Sequence, residues 1–511
     1  MNIGYILSRC ILGVGSYVKK DKIAFVFQNE EYTYRELNEK ANRIANAFIE
    51  LGLKKRDRVA IFARNCTGWV FAFFGIAKAG GVIVPINIFS KSPEIGHILN
   101  DSGASYFIVD EDFIPSIDLI KNQFKKVRQF ISLGQGEVPG YISLERLMKS
   151  NSHEPIIEVD VNDTLTITYT SGTTGFPKGA VITHANRIWG LYANIDAYGI
   201  TEKDIYLCLP SLSWMAGFHH NFLATLYQGG TVILMPTGGM DLGEVLRVIE
   251  KNKITMVFMV PTLIKQWVDQ PELRKYDVST LRILSSGAEP LADTLINRFH
   301  ELYPKIPICE TYGLTEGPLW ALVLKKEYAL KKAGSTGKPG LNTIIRLVDE
   351  NGNDVAKEGS QGEIILKSPE VMQGYWNNPE ATKETLRDGW LHTGDLGKYD
   401  EDGFVSITGR KKDMIISGAL NVYPAEIENV IYKCEKVAEV AVIGVPDPKW
   451  GEVGKAVVRL KPGEEITEKE IIELCKENLA NYKVPKHIKL TQVPLPRTSS
   501  GKLQKWKLVE E

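Results

Sequence analysis

Residues 164–179 read Thr-Leu-Thr-Ile-Thr-Tyr-Thr-Ser-Gly-Thr-Thr-Gly-Phe-Pro-Lys-Gly. Apart from Leu165, the first seven are β-branched or aromatic, which predicts a strand. That strand runs into a loop with three glycines (Gly172, Gly175, Gly179), four hydroxyls (Thr170, Ser171, Thr173, Thr174) and Lys178. Glycines let backbone N–H groups approach an anion, hydroxyls add donors, and the lysine adds a point charge. A plain surface turn explains many glycine-rich loops, but not four hydroxyls beside a lysine; this one is built to hold phosphate. It is not a Walker A loop, since Lys178 is followed by Gly179, and Gly337-Lys338 is followed by Pro339. P-loop kinase and GTPase mechanisms are therefore disfavoured.

Outward from this loop the chain alternates strand and helix. Upstream, RVAIFA (58–63), GVIVP (81–85) and YFIVD (106–110) are short apolar runs separated by enough chain for crossover helices. Thr33-Tyr-Arg-Glu36 forms a capping box, and helical spacing of Leu37, Ala41, Ile44, Ala45, Phe48 and Leu51 follows it. Residues 1–20 read as an N-terminal helix, with neither the basic start nor the cleavage site of a signal peptide. Downstream, the rhythm returns at TVILM (231–235), TMVFMV (255–260) and LRIL (281–284), with a helix at 244–251. After about residue 335 the chain turns β-rich, with GEIILKS at 362–368 and FVSIT at 404–408. The charged run 410–413 is the candidate linker to a compact pattern: a helix from Pro424, strands VAEVAVIGV and KAVVRL, and a helix opened by Thr467-x-x-Glu470.

The expected class is α/β. A large N-terminal domain (1–410) combines doubly wound sheets with a β-rich subdomain, and a small mobile C-terminal α+β domain spans 411–511. The length of 511 residues agrees, because single cores stop growing near about 250–300 residues. With 61 basic against 62 acidic side chains, no global field attracts nucleic acid. The longest apolar stretch, 69–77, is too short to cross a bilayer, so stable membrane insertion is not expected. The six cysteines are scattered without C-x-x-C pairs or metal-ligand spacing, and read as reduced thiols of a cytoplasmic protein.

Further segments carry chemistry-bearing residues in a fixed order: Glu310-Thr-Tyr-Gly-Leu-Thr-Glu316, His392-Thr-Gly-Asp395, Gly409-Arg410-Lys-Lys-Asp413, Asn421-Val-Tyr-Pro-Ala-Glu-Ile-Glu428 and Pro496-Arg-Thr-Ser-Ser-Gly-Lys502. Together with YTSGTTGFPKGA they resemble the adenylate-forming superfamily of acyl-CoA synthetases, adenylation domains and luciferases, over nearly the whole chain. The resemblance implies two half-reactions. A carboxylate attacks the α-phosphate of ATP and releases pyrophosphate, and a thiol then attacks the acyl adenylate. Both steps develop charge on oxygen, so preorganised donors and a bridging metal are the expected catalysts.

By that resemblance, Thr170, Ser171, Gly172, Thr173, Thr174, Gly175 and Lys178 grip the β- and γ-phosphates of ATP, Thr315 bonds a phosphate oxygen, and Glu316 holds Mg²⁺. Thr311 and Tyr312 lie against adenine, and Gly287, Ala288 and Glu289 line its other side. Asp395 accepts from the ribose hydroxyls, and Arg410 donates to the same sugar. Lys502 reaches across from the small domain to bridge carboxylate and α-phosphate, and Lys412 is the hinge about which that domain turns for the CoA step. One departure concerns that step: the usual Gly-Gly before N-V-x-P reads Gly418-Ala419, which leaves Gly418 for approach by CoA.

The acyl pocket is expected near Leu209-Pro210, with Trp214 as a cap and Gly313 and Gly317 leaving room beside Trp320. No acidic residue occupies 211–220, which disfavours amino-acid activation. The adjacent His219 and His220 read as wall or packing residues rather than metal ligands. A basic excess over 482–506 offers a surface for CoA phosphates or an acidic carrier protein. The expected activity is ATP-dependent ligation of a fatty or aryl carboxylic acid to CoA. The alternatives are loading of an acyl-carrier protein, a luciferase-like oxidation, or a non-catalytic nucleotide- or acyl-CoA-binding protein. A homodimeric assembly is compatible with each.

Overall fold

The computed structural model describes residues 2–9, 18–134, 136–170, 177–238, 241–288, 291, 293–355, 359–417, 420–497 and 503–508. The strand that opened the analysis, Thr164–Thr170, lies in a seven-stranded sheet together with Arg58–Phe62, Val82–Pro85, Tyr106–Val109, Gln129–Ser132 and Ile142–Ser143. These run parallel, with helices Thr67–Lys78 and Ser92–Ser102 as crossovers. The last strand, Lys178–Thr183, pairs antiparallel with Thr164–Thr170 and keeps Thr170 opposite Lys178. The glycine-rich loop is thus the connection of a β-hairpin, not the strand-to-helix turn of a P-loop.

A nine-stranded sheet carries the second half of the doubly wound region. Its parallel centre runs Ile308–Tyr312, Ile283–Gly287, Met256–Phe258, Ile205–Cys208, Thr231–Leu234 and Ile23–Phe27. Central strands with both faces covered require continuous apolar runs, which is what TVILM and TMVFMV supply. The strand expected at 281–284 lies at Ile283–Gly287, since Leu281 and Arg282 only lead into it. The β-rich region forms an antiparallel five-stranded sheet from Ile344–Val348, Gly362–Lys367, Leu386–Arg387, Trp390–Tyr399 and Val405–Arg410.

Residues 415–491 build a further five-stranded sheet whose core, Ile427, Ile431, Val442, Ala456 and Ile471 among others, comes from this segment alone. The helix Pro424–Ile431 begins on a proline, and Glu468–Asn478 begins on the Thr467/Glu470 capping box, as their sequences predict. Between the sheets, 410–413 is strand end followed by the 3₁₀ turn Lys411–Asp413.

Of the stretch read as an N-terminal helix, the described part forms a 3₁₀ turn, Ile3–Ile6, and turns helical at Arg9, while residues 10–17 lie outside the described residues. The described part is pinned by tertiary contacts. The backbone N–H of Ile3 donates to His184 Nδ1 (3.1 Å). Beside it, the buried Lys78 ammonium, at the end of the apolar helix Thr67–Lys78, donates to Ser8 Oγ (2.6 Å), Asn38 Oδ1 (2.7 Å), Asn42 Oδ1 (2.7 Å) and Glu154 Oε1 (2.6 Å). Among the described residues no helix is long and apolar enough to cross a membrane.

Candidate active site

Two clusters of side chains gather where the nine-stranded sheet, the hairpin and the antiparallel sheet meet. In the first, strands Trp390–Tyr399 and Val405–Arg410 place Asp395 directly opposite Arg410. Arg410 Nε lies 2.8 Å from Asp395 Oδ1, and the Tyr312 hydroxyl donates to Asp395 Oδ2 at 2.6 Å. Thr393 Oγ1 accepts from the Asp395 backbone N–H (3.0 Å), which fixes the turn carrying the carboxylate. Burial and the neighbouring Asp395 charge push the Tyr312 phenol well up, so it is a neutral donor. Each carboxylate oxygen already accepts one hydrogen bond and keeps a lone pair for a diol.

In the second cluster Glu316 Oε1 accepts from Thr170 Oγ1 (3.1 Å) and from the Tyr375 hydroxyl (3.0 Å). Lys178 Nζ lies 5.6 Å from the centroid of the Tyr375 ring. Tyr375 is placed by the segment that crosses Lys178–Thr183, where it forms a bridge with Ala180 and Trp376 N–H donates to Gly179 O (2.7 Å). Nothing in the reading of the sequence singled out Tyr375; the signal available was a Gly-Tyr-Trp run of bulky aromatics ahead of the helix Pro379–Thr385. Among the described residues, the side-chain hydrogen bonds to Glu316 from Thr170 and Tyr375 both end on Oε1. A single carboxylate of this kind suits Mg²⁺, which keeps waters and substrate phosphates as its other ligands. Among the described residues no group of three His, Cys, Asp or Glu is arranged to hold a metal ion.

Between the clusters, Gly287 and Thr311 are register partners on neighbouring parallel strands. A Cβ at Gly287 would stand 2.6 Å from Thr311 O, so only glycine fits there. Ala288 follows with φ +70°, a left-handed conformation rare for a residue with a side chain and typical of ligand-gripping turns. Thr315 is half-buried in the turn that leads to Glu316.

Gly313 and Gly317 both pack closely on the side where a Cβ would project. A Cβ at Gly313 would lie 2.3 Å from Leu319 O, and one at Gly317 would lie 2.7 Å from Leu391 Cδ2. Trp214 sits with its ring 6.5 Å from Phe89. Lys412 is exposed on the 3₁₀ turn after Arg410. In the basic tail, Lys483 pairs with Glu426, Arg497 with Glu439 (2.9 Å) and Lys505 with Glu428 (2.7 Å), so part of its charge is neutralised internally. Ser171, Gly172, Thr173, Thr174, Gly175, Glu289, Gly418, Ala419 and Lys502 lie outside the described residues.

A fold of two coupled α/β sheets, an antiparallel sheet and a separate small sheet, with an Asp–Arg–Tyr trio beside a Thr–Glu–Tyr trio, defines an adenylate-forming enzyme. The chain belongs to the AMP-binding enzyme family: the model of that family matches residues 16–376, and that of the AMP-binding enzyme C-terminal domain matches 426–502. Among its relatives, a feruloyl-CoA synthase of an Amycolatopsis species is 38% identical over 473 residues, covering 93% of this chain and 92% of the relative. A long-chain-fatty-acid–CoA ligase of Mycobacterium tuberculosis is 36% identical over 492 residues, covering 94% and 93%. The crystal structure of an anthranilate CoA ligase in complex with anthranoyl-AMP superposes with a TM-score of 0.92 at 30% identity, covering 99% of this chain and 96% of that one.

Proposed function

We propose that this protein is an AMP-forming carboxylic acid:CoA ligase that activates its acid as an acyl adenylate and transfers the acyl group to the CoA thiol. The observation that carries the reading is the convergence of Tyr312, Asp395 and Arg410 with Thr170 and Glu316, from segments as far as 240 residues apart. In this reading Asp395 accepts from the ribose hydroxyls while Arg410 and Tyr312 hold its orientation. Thr170, Lys178 and the loop between them take the β- and γ-phosphates, and Thr315 donates to a phosphate oxygen. Glu316 would hold Mg²⁺, which would supply charge neutralisation on the phosphates. Gly287, Ala288 and Glu289 face adenine from one side, and Thr311 and Tyr312 from the other.

Lys502 is the cation assigned to the reacting carboxylate and α-phosphate, residues 411–511 are the mobile domain that carries it, and Lys412 is the pivot. Gly418 is the residue assigned to the approach of CoA. Relatives named for feruloyl and for long-chain fatty substrates support an aryl or a fatty acid as substrate. The described cysteines are free thiols, in keeping with a cytoplasmic protein.

The test is AMP release by the purified chain with ATP, Mg²⁺ and a panel of aryl and fatty acids, with and without CoA. AMP formation that requires CoA and one acid class supports the ligase. Adenylate that CoA does not consume, but a carrier protein does, favours carrier loading. Lys502→Ala should lower adenylation by about 10²-fold or more while leaving thioester formation from supplied acyl-AMP nearly intact. Equal loss in both steps would overturn the division of roles.

A further inference from the structure

The buried face of the helix His184–Tyr198 is polar where it should be apolar. Arg187, Asn194 and Tyr198 fall on one side of it, and facing them are His219, His220, Trp320 and Glu370. Buried polar groups are nearly always hydrogen-bonded, yet here Tyr198 Oη, both ring nitrogens of His220, Trp320 Nε1, the Arg187 guanidinium and both Glu370 oxygens have no hydrogen-bond partner among the described residues. All are buried: Tyr198 is 2% exposed, His220 4% and Trp320 1%.

The His220 ring centroid lies 4.8 Å from that of Trp320 and 6.0 Å from that of Tyr198. The Tyr198 hydroxyl is a neighbour of Thr311, Ser285 and Trp320, without hydrogen-bond geometry to any of them. Thr311 precedes Tyr312, so this end of the seam abuts the adenylate cluster. The backbone is irregular at the same place: Met215–Phe222 is a π-helical turn broken at His220 (φ −77°, ψ −127°), a distortion frequent at functional sites.

We propose that Tyr198, His220 and Trp320 read a hydrogen-bonding substituent on a ring-sized acyl group, so that the acid is a polar-substituted aryl or alicyclic acid rather than a long-chain fatty acid. The inference rests on the ligase reading and sharpens its substrate class. The chemistry of the trio fits a neutral substituent. Burial holds the His220 pKa down at about 3, so its imidazole is neutral and offers one donor and one acceptor, Trp320 Nε1 offers a donor, and the Tyr198 hydroxyl offers either. Further along the helix Arg187 and Glu370, which attract one another electrostatically but lack hydrogen bonds among the described residues, oppose an alkyl tail, because a hydrocarbon laid over them supplies neither with one.

The experiment measures kcat/KM for AMP release with the holoenzyme and matched acids: 3-phenylpropenoic acid, the same acid with a ring hydroxyl, and hexadecanoic acid. The hydroxylated acid should exceed its unsubstituted partner by about tenfold or more, because a site built to bond a hydroxyl penalises its absence. Hexadecanoate should be the poorest of the three. His220→Phe and Tyr198→Phe should bring the ratio within the pair toward one, and His220→Gln, which keeps a donor and an acceptor, should restore most of it; the melting temperature of each variant verifies its fold. A wild-type ratio near one, or hexadecanoate as the best acid, overturns the inference and leaves the ligase reading standing. Failure of any acid, including short-chain ones, to release AMP overturns both.

Discussion

Asp395 holds the nucleotide cluster together, because it is the residue that both Tyr312 and Arg410 address. Removing its charge weakens a charge-assisted pair in a nearly buried setting, an effect of about 1.5–3 kcal/mol for a hydrogen bond to a charged group. Asp395→Asn is therefore expected to weaken AMP binding by about 10- to 100-fold, measured by titration calorimetry, whereas Arg410→Gln, at the exposed end of the pair, should lose less. An Asn variant with unchanged AMP affinity would remove Asp395 from the site. At Gly313 an added methyl must displace the Leu319 backbone. Gly313→Ala should cost about 1–3 kcal/mol in local strain, seen as a lower melting temperature together with reduced AMP release.

These residues were legible as types but not as partners. Sequence order lists Asp395 in a turn and Arg410 at the edge of a charged run, and only antiparallel register sets them face to face. Tyr375 stayed hidden for the same reason, since its partner Glu316 is 59 residues away and its position depends on the pairing of residues 373–376 with 179–181.

Among the elements, the helix His184–Tyr198 is specified locally at both ends. Thr183 accepts from Asn186 N–H and the Asn186 side chain accepts from Thr183 N–H, while Gly199 closes the helix at φ 57°. Thr183→Ala should lower stability by about 1 kcal/mol, measurable by urea unfolding, and a change near zero would mean that burial alone holds the helix start. Strands and capped helices were predictable because period, cap and turn residues are local signals. The π-helical turn Met215–Phe222 was not, since the rings that pack on His220, Phe258 from a strand and Trp320 from a turn, come from segments distant in sequence. The glycine-rich loop was read correctly as following a strand, but its antiparallel return through Lys178–Thr183 needed the sheet to be seen.

Over the whole molecule, two sets of buried groups oppose one another in pH. Burial lowers the pKa of His184 to about 4, of His220 to about 3 and of His219 well below its usual value. Their contribution is complete above the unfolded value of 6.5 and is lost as pH falls, because the unfolded chain then binds more protons. Burial raises Glu310 to about 8 and Glu370 to about 7. Their contribution is complete below 4.5 and is lost as pH rises through 7 and 8. Between 4.5 and 6.5 the histidines, joined with the same sign by His300 and His392, outweigh the two carboxyls, and above 6.5 the carboxyls dominate until the buried Lys78, lowered to about 8, begins to oppose them. Thermal stability should therefore peak near pH 6.5 and decline toward both pH 5 and pH 8, with each unmatched proton worth about 1.4 kcal/mol per pH unit. A melting temperature that climbs steadily to pH 8 would contradict this, and Glu310→Gln should flatten the alkaline side.

The buried ammonium of Lys78 has a practical corollary for handling the protein. Ser8 supplies one of its four acceptors, and Ile3, Ile6 and Leu7 are sealed into the same core. The amino-terminal stretch is therefore a keystone, and a shortened version lacking residues 2–8 should be recovered as aggregate rather than as enzyme. Tethers, dyes and immobilisation handles belong on the exposed turn at residues 350–353, where attachment disturbs no interior.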